Sequence, residues 1–139
     1  HVLPALIRKF YEAKVNKIES VEVWGSGKPK REFLHVDDLA DSCLFLLNNM
    51  EANQLYRQNI SHINIGSGQE VHIKELALLI KYIVGYQGDI KFNSDYPDGM
   101  SRKLLDISRI TSMGWKSSID LDTGIKTVYK WYLNNLQFD

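Results

Sequence analysis

The chain has 139 residues, a length that suits one domain, and 44% of them are hydrophobic, enough to bury a core. Its 17 Lys and Arg balance 17 Asp and Glu, which argues against a broad nucleic-acid or anionic-membrane surface. No apolar run approaches the ~20 residues of a membrane span and no charged start leads into an apolar stretch, so a soluble protein without a signal peptide is expected. The single cysteine leaves no internal disulfide and fits a reducing compartment.

In chain order, Leu3, Leu6, Ile7 and Phe10 recur at helical spacing, predicting a helix over Val2 to Val15 with Pro4 tolerated in its first turn. Val21 to Trp24 alternates and is β-branched, as a strand should. Gly25 to Lys30 is a loop by composition. Arg31 to Val36 reads as short and extended. Asp37 or Asp38 is expected to cap the next helix, with an apolar face of Leu39, Cys43, Leu46 and Leu47. Asn48 to Ser61 reads as a surface connection, and His62 to Ile65 as a strand ended by Gly66-Ser67-Gly68. Ile73, Leu76, Ala77, Ile80, Ile83 and Val84 predict the clearest amphipathic helix, stopped at Gly85. A strand over Asp89 to Phe92, a turn at Pro97-Asp98-Gly99 and an extended Arg102 to Asp106 follow. A short helix over Ser108 to Met113 closes at Gly114. A final helix capped by Asp120 carries Leu121, Ile125, Val128 and Tyr132. The class is mixed α/β, with no repeat, low-complexity tract or dividing linker.

Few residues here announce chemistry. There is no P-loop, no paired metal-ligand spacing and no nucleophile elbow, so no metal site is expected. Gly66-Ser67-Gly68 lacks the full dinucleotide pattern and reads as a turn. Cys43 reads as a small hydrophobe on a helix face. The loop Trp24 to Arg31 is more informative, holding an aromatic, glycine and proline breakers and three cations. Such a loop can approach a phosphate closely, or can simply be solvated. Asp98-Gly99 followed by Arg102-Lys103 has the same two readings. Together, two cationic loops beside turns would suit a diphosphate.

Four stretches carry a resemblance. His1-Val2-Leu3-Pro4-Ala5-Leu6-Ile7-Arg8-Lys9-Phe10 is the first. Val23-Trp24-Gly25-Ser26-Gly27 leading to Arg31-Glu32-Phe33-Leu34-His35-Val36-Asp37-Asp38-Leu39-Ala40 is the second. His62 to Gly68 is the third, and Pro97-Asp98-Gly99-Met100-Ser101-Arg102-Lys103-Leu104-Leu105-Asp106 the fourth. Over nearly its whole length the chain resembles the GDP-L-fucose synthase family of extended short-chain dehydrogenases. The Arg-Glu-Phe-Leu-His-Val-Asp-Asp run is shared in variants across enzymes of that superfamily acting on nucleotide sugars. The Pro-Asp-Gly-x-x-Arg-Lys-Leu-Leu-Asp run is more particular to the fucose synthases.

The resemblance implies the C-terminal substrate-binding portion of an extended short-chain dehydrogenase, an α/β fold lacking the main Rossmann half. The glycine-rich fingerprint, Tyr-x-x-x-Lys pair, active-site Ser or Thr and epimerisation Cys of the family match nothing here. Residues 1–139 would form one portion, with residues near 62–65 completing the Rossmann sheet of the other half. Cut from its neighbours, that strand would leave an open edge, so the chain alone is expected to aggregate or melt poorly.

The implied activity is 3,5-epimerisation of GDP-4-keto-6-deoxy-D-mannose and its NADPH-dependent 4-reduction to GDP-L-fucose. The 4-keto group acidifies the hydrogens at C3 and C5, so a positioned acid and base can invert both carbons. His1 matches the family's acid histidine, catalytic and also beside NADP(H). Lys9, Trp24, Arg31, Asp98 and Lys103 match substrate-binding positions, with Arg31 on the diphosphate and Asp98 on the nucleotide. His35, Asp37 and Asp38 read as structural. The resemblance further implies a cytoplasmic homodimer that takes a GDP-sugar, with NADP(H) held mainly by the N-terminal half, and no nucleic-acid or membrane partner. Other readings are a portion of another nucleotide-sugar epimerase or dehydratase, or a non-catalytic sugar-nucleotide binding module.

Overall fold

The structure, a computed structural model, describes residues 1–136. Its elements are α1 (Val2–Val15), β1 (Ser20–Trp24), β2 (Lys30–Glu32), α2 (Val36–Asn49), α3 (Ala52–Tyr56), β3 (Glu70–His72), α4 (Ile73–Val84), β4 (Asp89–Asn93), β5 (Arg102–Lys103), α5 (Ser108–Ser112) and α6 (Leu121–Asn134). This is a mixed α/β fold with few, short strands. The chain forms two compact units, passing between them after Arg31, Glu70, Lys103 and Leu121. A boundary crossed this often leaves no linker in the sequence.

The first unit holds residues 1–31, 71–103 and the C-terminal helix. Here α1 buries Leu6, Ile7, Phe10 and Ala13, and α4 buries Ile73, Leu76, Ala77, Ile80 and Val84. These are the stripes that the helical period predicts. The two helices pack together, and α1 also packs on β1, whose Val21 and Val23 are buried. Gly85 ends α4 in the left-handed conformation, at φ +73°, which a glycine adopts without strain. Lys14 Nζ donates to the Val84 carbonyl at 2.8 Å, placing a cation at the negative end of α4. Tyr86 packs against Phe10 and donates its hydroxyl to the Ile18 carbonyl at 2.9 Å. Burial, with the charge of Asp89 adding, pushes its phenol above the ordinary range. On α6, Tyr129 and Tyr132 meet Tyr11 of α1 edge-on.

Two parallel pairings organise this unit. β1 pairs with β4 in register from Ser20↔Asp89 to Trp24↔Asn93. In a second sheet, β3, β2 and β5 lie in that order, with Lys30↔Arg102 and Arg31↔Lys103 as parallel partners.

The second unit holds residues 32–70 and 104–121. Three expectations change here. The N-cap of α2 is His35, whose Nδ1 accepts the Asp37 amide at 3.2 Å, rather than either aspartate. The helix buries Asp38 and Ser42, while Leu39 and Leu47 are exposed and Cys43 is an exposed free thiol. Hydrogen bonding explains the choice. Asp38 accepts from the Ser118 amide and hydroxyl and from the Ile119 amide, at 2.9–3.0 Å, and Ser42 Oγ donates to the Leu39 carbonyl at 2.6 Å. The third change is at His62 to Ile65, which is not in a strand. A strand requires a ladder partner, and no described segment pairs with it. Side chains serve its backbone neighbourhood instead: Arg109 donates to the His62 carbonyl and Asn64 to the Asp106 carbonyl.

Glu32 organises the same unit, its carboxylate accepting the Gly68 amide at 2.6 Å and the Leu105 amide at 3.1 Å. Trp115 is buried and donates Nε1–H to Asp41 at 2.8 Å. The α5 helix ends before Gly114, which holds φ +103°, as its sequence predicts.

Candidate functional site

The candidate site belongs to the first unit. The strands β1 and β4 end on the same rung, Trp24↔Asn93, so the loop after one and the turn after the other start side by side. The Gly25 amide donates to the Asn93 carbonyl at 2.8 Å, extending that pairing by one residue. The loop then returns as β2 beside β5, and the Lys30 amide donates to the Ser101 carbonyl at 2.9 Å. Two segments some seventy residues apart in sequence are thereby held against each other at both ends.

Trp24 is 60% exposed, too open for a core residue of its size. Its indole stacks on Tyr96, with ring centroids 4.4 Å apart and planes at 12°. Lys9 Nζ lies 5.1 Å from the centre of the Trp24 ring and donates to the Glu22 carbonyl at 3.0 Å. Lys9 is therefore held by α1 over the aromatic rather than left as a loose surface cation.

Asp98 accepts the Ser26 amide and the Ser26 hydroxyl, each at 2.6 Å. Ser26 Oγ in turn accepts the Lys28 amide at 3.2 Å. The Ser26 hydroxyl, then its amide, hold the Asp98 carboxyl below the ordinary range, and the charge of Lys28 adds to the effect. Asp98 is thus an anion at neutral pH. Arg31 is half-buried and donates Nη1 to the Lys30 carbonyl at 2.6 Å, which uses one of the five donors of a guanidinium. Lys103 is exposed on the rung opposite Arg31.

Five of the six residues read as a site, namely Lys9, Trp24, Arg31, Asp98 and Lys103, therefore lie on or beside these two adjoining segments. His1 does not join them. It is exposed at the start of α1, about 12 Å of helix rise before Lys9. Its carbonyl accepts the Ala5 amide at 3.2 Å. Ser26 and Tyr96, which hold the segments together, escaped the sequence reading. The one available signal was an aromatic two residues before Asp98 in a turn. Among the described residues, no group of three or more His, Cys, Asp or Glu side chains is placed to hold a metal ion. Nor is any described helix long and apolar enough to cross a membrane.

Gly25 is the tightest point of the loop. It holds φ +85°, and a methyl group there would lie 2.5 Å from Asp98 Oδ1. Gly25→Ala should therefore destabilise the protein by about 1–3 kcal/mol, the range for a strained left-handed residue. It should also break the Asp98–Ser26 bonds. Urea unfolding measures the first effect, and an unchanged midpoint would contradict it.

The model of the NAD dependent epimerase/dehydratase family matches residues 1–66. The chain is 52% identical to GDP-L-fucose synthase 1 of Arabidopsis thaliana, over 98% of this chain and 40% of that protein. It is 44% identical to the GDP-L-fucose synthase of Escherichia coli K12, over 97% of this chain and 43% of that protein. The chain is a relative of the GDP-L-fucose synthases. It spans about 40% of the length of the curated synthases it matches. Among solved structures, a GDP-mannoheptose C4 reductase from Campylobacter jejuni with NADP bound aligns at TM-score 0.83 and 45% identity, covering 96% of this chain and 45% of that one. The likeness to these synthases and to that reductase fits an α/β fold that is part of an extended short-chain dehydrogenase.

Proposed function

We propose that this chain is the C-terminal, substrate-binding portion of an NADP-dependent GDP-sugar epimerase-reductase that makes GDP-L-fucose from GDP-4-keto-6-deoxy-D-mannose. The observation that carries this is the joining of Trp24, Arg31, Asp98 and Lys103 on two adjoining segments, with Lys9 over the indole. Cationic side chains beside an exposed aromatic suit a nucleoside diphosphate. In this reading Arg31 and Lys103 meet the diphosphate oxygens, and Trp24 and Lys9 border the sugar or base. Asp98 lies at the nucleotide end. Together they hold the sugar still for reaction elsewhere in the protein.

NADP(H), when bound, supplies the hydride for reduction at C4. Of this chain's residues only His1 is assigned to the cofactor, and its exposed imidazole at the start of α1 leaves room for that role. As the acid, His1 would deliver a proton to the sugar during epimerisation. The remaining cofactor contacts fall to the part of the protein outside this chain. We assign the complete protein to the cytoplasm, as a homodimer.

A second reading, a GDP-sugar C4 reductase acting on a different sugar, is favoured by the 45% identity to the mannoheptose reductase. Assaying the complete protein for NADPH consumption with several 4-keto GDP-sugars separates the two. Turnover of the 6-deoxy-mannose derivative supports the first reading, and turnover of a heptose derivative alone supports the second. This chain by itself should consume no NADPH with any of them, and measurable consumption would overturn its assignment to substrate binding. Calorimetric titration of the complete protein should show GDP binding tighter than UDP. Equal affinities would count against both readings.

A further inference from the structure

We propose that the turn after β4 clamps the Trp24–Lys28 loop into its binding shape, that Ser26 and Tyr96 are positioning residues of the ligand site, and that Asp98 acts on the ligand through Ser26. This inference rests on the assignment of the loop to a GDP-sugar.

The loop cannot define its own shape. Gly25 and Gly27 hold φ of +85° and +73°, and an unanchored glycine-rich segment samples many alternatives. The far end of the loop is tied to the start of α4, where the Lys74 amide donates to the Gly27 carbonyl at 2.9 Å and His72 Nδ1 meets the Lys28 carbonyl, and the two side-chain anchors of its near end come from one turn. Tyr96 stacks flat on Trp24 at the start of the loop, and Asp98 takes two hydrogen bonds from Ser26 two residues on. The bond from the Lys28 amide to Ser26 Oγ carries the restraint onward toward Arg31.

Neither anchor fills a core. Tyr96 is 41% exposed, more than half of Trp24 is open, and Asp98 lies at the surface. Folding alone gives no reason for a flat aromatic pair in solvent, whereas a site that must be shaped before its ligand arrives does. One Asp98 oxygen serves the Ser26 amide and the other its hydroxyl. Both oxygens hold the loop, and we take the influence of the carboxylate on a nucleotide to run through the position of the loop.

The test uses the complete protein that carries this chain, with GDP and inosine diphosphate as calorimetric probes. The latter lacks the 2-amino group of guanine. Ser26→Ala, Tyr96→Ala and Asp98→Ala should each weaken both nucleotides by the same factor, about three- to tenfold, as loss of one stacking or hydrogen-bond contact predicts. Tyr96→Phe keeps the stack and should stay near the parent. Asp98→Asn can still bond Ser26 both ways and should recover most of the Asp98→Ala loss, equally for both probes. Adding Ser26→Ala to Asp98→Ala, which still removes the acceptor of the Lys28 amide, should cost less than the product of the two separate losses.

A selective loss of GDP over inosine diphosphate in Asp98→Asn would mean that the carboxylate reads the guanine edge. Losses that multiply in the double variant would mean that Ser26 and Asp98 act separately. Either result overturns the proposal. Amide hydrogen exchange over residues 25–28 provides a readout that needs no nucleotide. Faster exchange in Tyr96→Ala and Asp98→Ala supports the clamp even if the protein prefers another ligand, and unchanged exchange sinks it. A parent protein that binds neither probe would refute the GDP-sugar assignment alone.

Discussion

Replacing Arg31 with Ala in the complete protein should weaken GDP-sugar binding roughly ten- to a hundredfold. A charge-assisted hydrogen bond is worth ~1.5–3 kcal/mol, and ~1.4 kcal/mol is a decade in affinity. The structure favours Arg31 over the neighbouring cations because its backbone is fixed. It lies in β2, paired with Lys103, and its guanidinium is steadied by the Lys30 carbonyl. Holding the fork in advance reduces the side-chain entropy lost on binding. Arg31→Lys should recover only part of the loss, because an ammonium cannot make two parallel bonds to a diphosphate. NADPH affinity should barely change. Equal losses for both ligands would show instead that Arg31 supports the fold, and no loss for either would show that the loop is only solvated.

Asp38→Ala should lower the unfolding free energy by about 3 kcal/mol or more, since hydrogen bonds to a buried charged group are worth ~1.5–3 kcal/mol and two backbone amides would be left without their acceptor. The side chain is 3% exposed and accepts three bonds from Ser118 and Ile119. Burial alone would raise its pKa, but those bonds, with the charge of His35 adding, outweigh burial and leave it lowered. The sign of the pH effect follows. The unfolded chain binds the proton at a higher pH than the folded one. The stabilisation is therefore complete above the ordinary carboxylate range, near ~4, and is lost as pH falls through the folded value. Asp98 and Asp106 are lowered too and act in the same sense. Urea midpoints measured from pH 6 down to pH 3 should fall, and less steeply in Asp38→Asn. Identical slopes in parent and variant would refute the assignment to Asp38.

The local elements were legible because their stabilisation is local. α1 and α4 bury stripes that recur every three or four residues, and Gly85 and Gly114 stand where left-handed backbone ends a helix. The cap of α2 was misread locally, since His35 takes the Asp37 amide two residues on, but the other two misreadings share one cause, which is dependence on distant partners. The leucine periodicity of α2 pointed to the wrong face, because the buried side is selected by Asp38 and Ser118, 80 positions apart. The His62 to Ile65 segment has the composition of a strand, but composition supplies no ladder partner. The site divides in the same way. Residue chemistry and the family resemblance pointed to Lys9, Trp24, Arg31, Asp98 and Lys103. The contacts that shape it, Ser26 with Asp98 and Trp24 with Tyr96, each span 72 positions and leave no local pattern.

The shared last rung of β1 and β4 separates what can be altered in this protein from what cannot. Beyond Trp24 and Asn93 the two segments leave the ladder after the Gly25–Asn93 bond and rejoin at Lys30↔Arg102, so changes that suit a different ligand are confined to the residues between those two ties. Inside Asp89–Asn93 a single inserted residue would slide the turn by ~3.3 Å and reverse which side chains face inward. For anyone grafting new specificity onto this scaffold, the strands set the frame and only the loops beyond them are open to redesign.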